Sequence, residues 1–207
     1  RSLCDWSSDL CSSDLREDLL NRMIRCVNIM LAQEVSYCRT FVDADQLVGE
    51  LPINTALELR EIFKDKIKLE FAIQPLEGLD NKEAEFNFIN ACKKADIIGG
   101  LPDRDKNPGE HLDKIFRLAK ELDKPVDVHV GQNNIPRELE EQLVIQKVRQ
   151  WSMYGKVNLV HAISLHKMPL SLIGHTTLTP LIYHKTRSAC RKYWFTSITI
   201  TITMYQT

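Results

Sequence analysis

Hydrophobic and polar positions along this chain follow two rhythms that alternate. Over residues 19–33, Leu20, Met23, Ile24, Val27, Met30 and Leu31 recur at helical spacing, which predicts a helix with one apolar face. Residues 36–42 read as a strand that runs into Asp43-Ala-Asp45. Residues 54–63 are helical, and 67–73 form a strand ending at Gln74-Pro75. Residues 81–94 make a helix with Ala84, Phe86, Phe88, Ile89 and Cys92 as its apolar members, and Asn81 stands where its side chain would cap it. A short buried strand at 95–98 ends in Gly99-Gly100. A helix follows at 109–122, a strand at 126–130, a helix at 136–151 and a strand at 157–160.

Five strands with a helix after each of the first four imply a parallel sheet, since parallel neighbours need a crossover connection. An open doubly wound sheet and a β/α barrel both use this alternation. No Gly-x-Gly-x-x-Gly follows the first strand, so a dinucleotide fold has little support and the barrel fits better. The 207 residues fall short of the roughly 250 of a complete (β/α)8 barrel. The expected fold is therefore an incomplete (β/α)8 TIM-barrel-type domain over residues 17–169.

The two ends break the pattern. Ser-Ser-Asp-Leu occurs at 7–10 and again at 12–15, a low-complexity repeat with neither strand nor helix period. It is similar to a translated adapter sequence, and residues 1–16 are set apart from the fold. Residues 170–207 are Thr-rich and basic and finish in alternating Ile and Thr. A frameshifted tail and a genuine edge strand both account for that alternation.

Composition narrows the class. A formal net charge of -1 leaves no basic footprint for nucleic acid or a membrane surface. No apolar run reaches the ~20 residues of a membrane span, and no signal-like leader stands at the N-terminus. Cys4, Cys11, Cys26, Cys38, Cys92 and Cys190 form no C-x-x-C pair. The expectation is a cytoplasmic protein with reduced thiols, Cys38 and Cys92 in the core, and a small-molecule substrate. A partial barrel leaves sheet edges uncovered, so a homo-oligomer is expected as well.

Candidate chemistry lies at the strand ends, which converge on one mouth in a β/α barrel. Two successive strands end in histidine, His129 and His161, a pairing that suits a metal or a proton-transfer site and equally suits two structural histidines. Asp43, Asp45, Asp103 and Asp105 are read as caps or turn residues. His111 is read as solvated on an amphipathic helix, and the acidic run from Arg137 as an exposed helix start.

Four stretches carry a family resemblance. Arg39-Thr-Phe-Val-Asp43 resembles R-T-H-V-D, Pro75-Leu-Glu-Gly78 resembles P-Q-E-G, and Ile98-Gly-Gly-Leu-Pro-Asp-Arg-Asp105 resembles a G-G-I-P-x-x-D turn. Asp127-Val-His129 with Val160-His161-Ala162 resembles paired D-x-H and x-H-A strand ends. In this order the motifs resemble the cytosine deaminase branch of the amidohydrolase superfamily and cover about the second to sixth strands of its barrel.

The resemblance implies a hydrolase of carbon–nitrogen bonds in which a divalent metal, zinc or iron, activates a water. It implies His129 as a metal ligand and His161 as the residue that orients the water or binds a second metal. Gln132 stands where the family often has a proton-shuttling Glu, and an amide cannot exchange a proton at neutral pH. Leu76 replaces a substrate-contacting Gln and Phe41 replaces a His, while Glu77 beside them suits a substrate contact and equally a salt bridge within the turn. Two apolar replacements imply an apolar-substituted cyclic amide or aminated heterocycle rather than cytosine. The family's H-x-H ligand pair should precede residue 19, where the chain has no histidine, and its Asp ligand should lie beyond residue 200. The expectation is weak metal binding and little activity. The rival readings are a metal-free barrel enzyme with His129 and His161 as acid and base, and a non-catalytic α/β interaction module.

Overall fold

A computed structural model of the chain describes residues 9–132, 140–162 and 199–200. The described elements are α1 (Asp9–Leu31), β1 (Tyr37–Asp43), α2 (Leu51–Phe63), β2 (Lys68–Gln74), α3 (Lys82–Lys94) and β3 (Ile97–Gly100). Then come a 3-10 turn (Pro102–Arg104), α4 (Pro108–Leu122), β4 (Val126–Val130), α5 (Glu140–Trp151), β5 (Val157–His161) and β6 (Thr199–Ile200). The first five strands pair in parallel in the order β1-β2-β3-β4-β5, and β6 adds antiparallel to β5.

That order decides between the two architectures. Crossovers between parallel strands are right-handed. A sequential order with no reversal therefore keeps every crossover helix on one side of the sheet. A doubly wound sheet needs a point where the order reverses. Burial shows the same division. Leu69, Phe71 and Ile73 on β2 face the helices and are buried, whereas Lys68 and Glu70 on the opposite face are exposed and half-buried. The core lies between sheet and helices, around Phe71, Phe88, Phe116, Ile73, Ile98 and Ile115. The result is a parallel five-stranded half-barrel.

Local sequence sets the element ends. Asn81 caps α3 by accepting the N–H groups of Glu83 and Ala84, as the sequence predicts. Asn107 caps α4 in the same way. Helix α2 begins at Leu51, ahead of the expected residue 54, because Pro52 in its first turn has no N–H to leave unpaired. Helix α4 ends at Asp123 in the left-handed conformation, where its N–H returns to Ala119 and Lys120. Lys124 then places its ammonium on the carbonyls of Cys92 and Lys93 at the end of α3, and on that of Ala95 just beyond.

Three expectations change. Helix α1 extends back to Asp9, so the second Ser-Ser-Asp-Leu unit is helical; a helix already formed over 16–31 elongates at little cost per residue. The acidic start of α5 is not a solvated face: Glu141 is fully buried, and Glu140 accepts the Gly131 N–H. His111 is buried, 1% exposed, rather than solvated. Of the tail, Thr199 and Ile200 form an edge strand on Leu159 and Val160. His166, His175, His184, Cys4 and Cys190 lie outside the described residues. Cys92 is buried, Cys38 packs against the core, and both are free thiols.

Candidate active site

The carboxyl ends of β1, β4 and β5 bring three rings together. Phe41 and His129 stand edge to face with centroids 4.4 Å apart, and His129 and His161 are tilted at 5.0 Å. Phe41 and His129 lie on the open face of the sheet, in the same rows as Arg39 and Asp127, because residues two apart on a strand share a face.

His161 reaches this cluster by a departure from regular strand geometry. The β4–β5 register pairs His129 with Val160 and Val130 with His161. Registered residues share a face, so a regular strand would turn His161 toward the helices with Val130. Instead its φ is 68°, and Ala162, also at positive φ, donates its N–H to both Val130 O at 2.9 Å and Val160 O at 3.1 Å. The contact to Val160 closes a three-residue γ-turn with His161 at its centre. That conformation is rare and strained for a residue with a Cβ. It brings the His161 ring beside His129.

Burial governs both imidazoles. It pushes His129 down to about 4, with the neighbouring His161 adding to the effect, and it also lowers His161. Both rings are therefore uncharged at neutral pH, the form that ligates metals. His129 Nε2 is buried without a hydrogen-bond partner among the described residues. A buried polar atom left unpaired costs stability, and such a site calls for an explanation. Among the described residues no group of three His, Cys, Asp or Glu side chains is placed to hold a metal ion. A catalytic zinc takes three protein ligands as a rule, so the two imidazoles fit a metal as part of a donor set rather than as all of it.

The other expected site residues stand on separate turns at the same end of the sheet. Leu76 and Glu77 are exposed on the turn after β2, and Gln132 is half-buried after β4. Asp43 accepts from Gln74 Nε2 at 2.6 Å, and Asp45 accepts the N–H groups of Leu47 and Val48. Both are turn and strand-end supports, as expected.

One layer beneath the rings is a polar network that strand-end reasoning misses. Arg39 on β1 pairs with Glu70 on β2 at 3.1 Å and with Asp127 on β4 at 3.2 Å. Asn158 on β5 donates to Asp127 at 2.7 Å, and Tyr37 and Lys68 both reach Glu70. Burial raises the Asp127 carboxyl against the pull of Asn158 and Arg39. Glu70 feels the same burial, but hydrogen bonds from Tyr37, Lys68 and Arg39 outweigh it and hold the group at about 2. The signal was in the period-two rows: Arg39 precedes Phe41, and Asp127 precedes His129, by two residues.

No family model matches the chain. It is 34% identical over 153 residues to an uncharacterized protein of Haemophilus influenzae, covering 72% of this chain and 55% of that protein. It is 25% identical over 150 residues to the N-isopropylammelide isopropyl amidohydrolase of a Pseudomonas species, covering 70% of this chain and 37% of the relative. It is 25% identical over 161 residues to the pterin deaminase of Rhizobium rhizogenes, covering 77% and 37%. The chain thus spans from about a third to about half the length of the curated relatives it matches.

Among solved structures, it superposes on 5-methylcytosine deaminase from Klebsiella pneumoniae with a TM-score of 0.71 at 19% identity, over 77% of this chain and 40% of that one. N-isopropylammelide isopropylaminohydrolase from Burkholderia multivorans gives 0.61 at 24%, over 68% and 37%. These neighbours are TIM-barrel amidohydrolases, and the half-barrel covers part of each. The named relatives and structural neighbours of this chain are therefore hydrolytic deaminases and amidohydrolases of the amidohydrolase superfamily, and its likeness to them fits the cytosine deaminase-like branch.

Proposed function

We propose that the chain carries part of the active site of a metal-dependent hydrolase that releases ammonia or an amine from a carbon–nitrogen bond of a cyclic amide or aminated heterocycle. The observation that carries this reading is the Nε2 of His129, buried and unpartnered among the described residues, with the uncharged ring of His161 beside it. Deaminases of the superfamily generally use a divalent metal, and the chemistry such an ion supplies when bound is a water acidified toward neutrality. His129 would hold the ion. His161 would orient the attacking water, or hold a second ion. Gln132 donates and accepts hydrogen bonds without exchanging a proton, which among the described residues leaves His161 as the group beside His129 able to take one.

Phe41, Leu76 and Glu77 would face the substrate. Phe41 already lies on the His129 ring, and Leu76 offers an apolar surface. This pair suits a ring bearing an alkyl substituent better than the polar edge of cytosine. The relatives named for N-isopropylammelide accord with that preference. The metal-free rival is weaker, because an imidazole held at about 4 is a poor base for proton abstraction near neutrality.

The chain alone is proposed to be an inactive fragment, since a third ligand does not join His129 and His161 among the described residues. Zinc titration followed calorimetrically tests the site. The unaltered chain should bind weakly, with a Kd on the order of micromolar or higher, and His129→Ala should abolish the binding. Unchanged zinc affinity in both His129→Ala and His161→Ala refutes the metal reading. Tight stoichiometric zinc together with amine release from N-isopropylammelide refutes the fragment reading. Faster turnover of cytosine than of N-isopropylammelide by the parent barrel refutes the substrate preference.

A further inference from the structure

A buried side-chain pair that the proposed reaction leaves unused joins two turns at the mouth of the sheet. Asp105 is 8% exposed and His111 1%. Asp105 Oδ1 accepts the Leu79 N–H at 2.6 Å, and Asp105 Oδ2 lies 2.8 Å from His111 Nδ1. His111 Nε2 accepts the Leu101 N–H at 3.0 Å. A backbone N–H only donates, so Nε2 is the acceptor and the ring proton sits on Nδ1, where it donates to Asp105. The connection runs from the turn after β2, through the loop after β3, into α4 and back to the end of β3.

Further contacts converge on the same turn. Gly78 N–H donates to Pro75 O at 2.9 Å, closing it as a β-turn. Gly78 has φ +82° and lies so close to Asp105 that a Cβ there would overlap the carboxylate. Lys114 Nζ donates to Leu79 O at 2.7 Å, and the Lys106 N–H reaches Asp80 at 3.3 Å. The turn is anchored at one end by β2 and at the other by Asp105, and between the anchors its exposed tip carries Leu76 and Glu77. Capping does not account for the pair, because Asn107 already caps α4. Nor does stability alone: a buried polar pair seldom outperforms an apolar pair of similar volume, and it fixes geometry instead.

We propose that Asp105 and His111 are positioning residues that set the placement of the turn after β2, and so the reach of Leu76 and Glu77 toward a heterocyclic ligand. The ligand half of this proposal rests on the functional reading above; the strut itself concerns only the turn.

Amide hydrogen exchange on the full chain tests the strut without ligand. Asp105→Asn sets an amide opposite the His111 Nδ1–H and disrupts the pairing. The Leu79 and Leu101 amides should then exchange about tenfold faster, the effect of losing one good hydrogen bond, while those of β1 and β4 stay as they were. With Asp105 intact, His111→Asn retains a donor near Nδ1 and should keep the protection at Leu79 while losing it at Leu101. Unchanged exchange at both amides in Asp105→Asn overturns the proposal. So does a uniform loss across the sheet, which would make the pair a general stabiliser.

Binding of N-isopropylammelide tests the ligand half. Asp105→Asn should weaken it about tenfold, and should add nothing to a Leu76→Gly/Glu77→Gly background, because residues acting as one unit are non-additive. Full additivity overturns the positioning role. Absence of binding by the unaltered chain overturns the ligand half, while the zinc titration decides the functional reading and the exchange result decides the strut.

Discussion

Arg39 shows how one residue organises the open face of this sheet. Its guanidinium joins Glu70 and the almost fully buried Asp127, and so ties three strands together beneath His129. The paired Glu70 carboxyl sits at about 2, against 4.5 for the free side chain. The folded protein therefore binds fewer protons than the unfolded chain between those values, and the stabilisation is complete above about pH 5 and is lost as pH falls toward 2. Its size is on the order of 1–3 kcal/mol once screening at this part-exposed site is allowed for. Urea unfolding at pH 5.5 and pH 3, in parallel with Glu70→Gln, should show a fall in stability that the variant largely lacks. Gly78 is the other residue whose identity is dictated by its place. At φ +82°, with Asp105 against it, Gly78→Ala should cost about 1–3 kcal/mol, read as a lower denaturation midpoint with an unchanged m-value.

At the scale of elements, the helices depend on their caps and the strands on close approach. Asn81 satisfies two otherwise unpaired N–H groups of α3, and Asn81→Ala should cost about 1 kcal/mol. Thermal unfolding should then fall by roughly 2–4 °C for a chain of this size. Strand β3 is short and its registered pairing with β2 ends at Ile98. Just beyond it, Gly99 lies against the carbonyl of Ile73, where a Cβ would overlap. Gly99→Val should therefore push β2 and β3 apart, and hydrogen exchange should show lost protection at Ile97 and Ile98 before the rest of the sheet. These elements were legible in the sequence because helix and strand periods differ, and because Asn81, Gly99 and Asn107 are residue types tied to particular backbone positions. His111 was not, because a polar residue on an amphipathic helix is ordinarily a surface residue. Its spacing to Ile115 and Ala119, all three buried, was the available signal: it stands on the apolar stripe.

At the scale of the molecule, the half-barrel presents, among the described residues, one open sheet face and an unpaired β1 edge, whose Tyr37 and Thr40 are exposed. Exposed parallel edges recruit further strands. The chain should elute above its monomer mass on size-exclusion chromatography with light scattering, and Thr40→Lys should shift it toward monomer. A monodisperse monomer at high concentration would count against this account of the edge. The alternation of strands and helices, the parallel sheet and the placing of His129 and His161 at successive strand ends all followed from the sequence, since periodicity and turn residues are local properties. Tertiary structure decided what depends on pairs far apart in the chain. The sequential strand order left all crossover helices on one face. The γ-turn turned His161 out of its strand row and toward His129, and burial removed the charge from both rings. Arg39 met Asp127 across two intervening strands, and Asp105 found Leu79 and His111. No local pattern encodes such meetings, because each is set by how the sheet curves and packs.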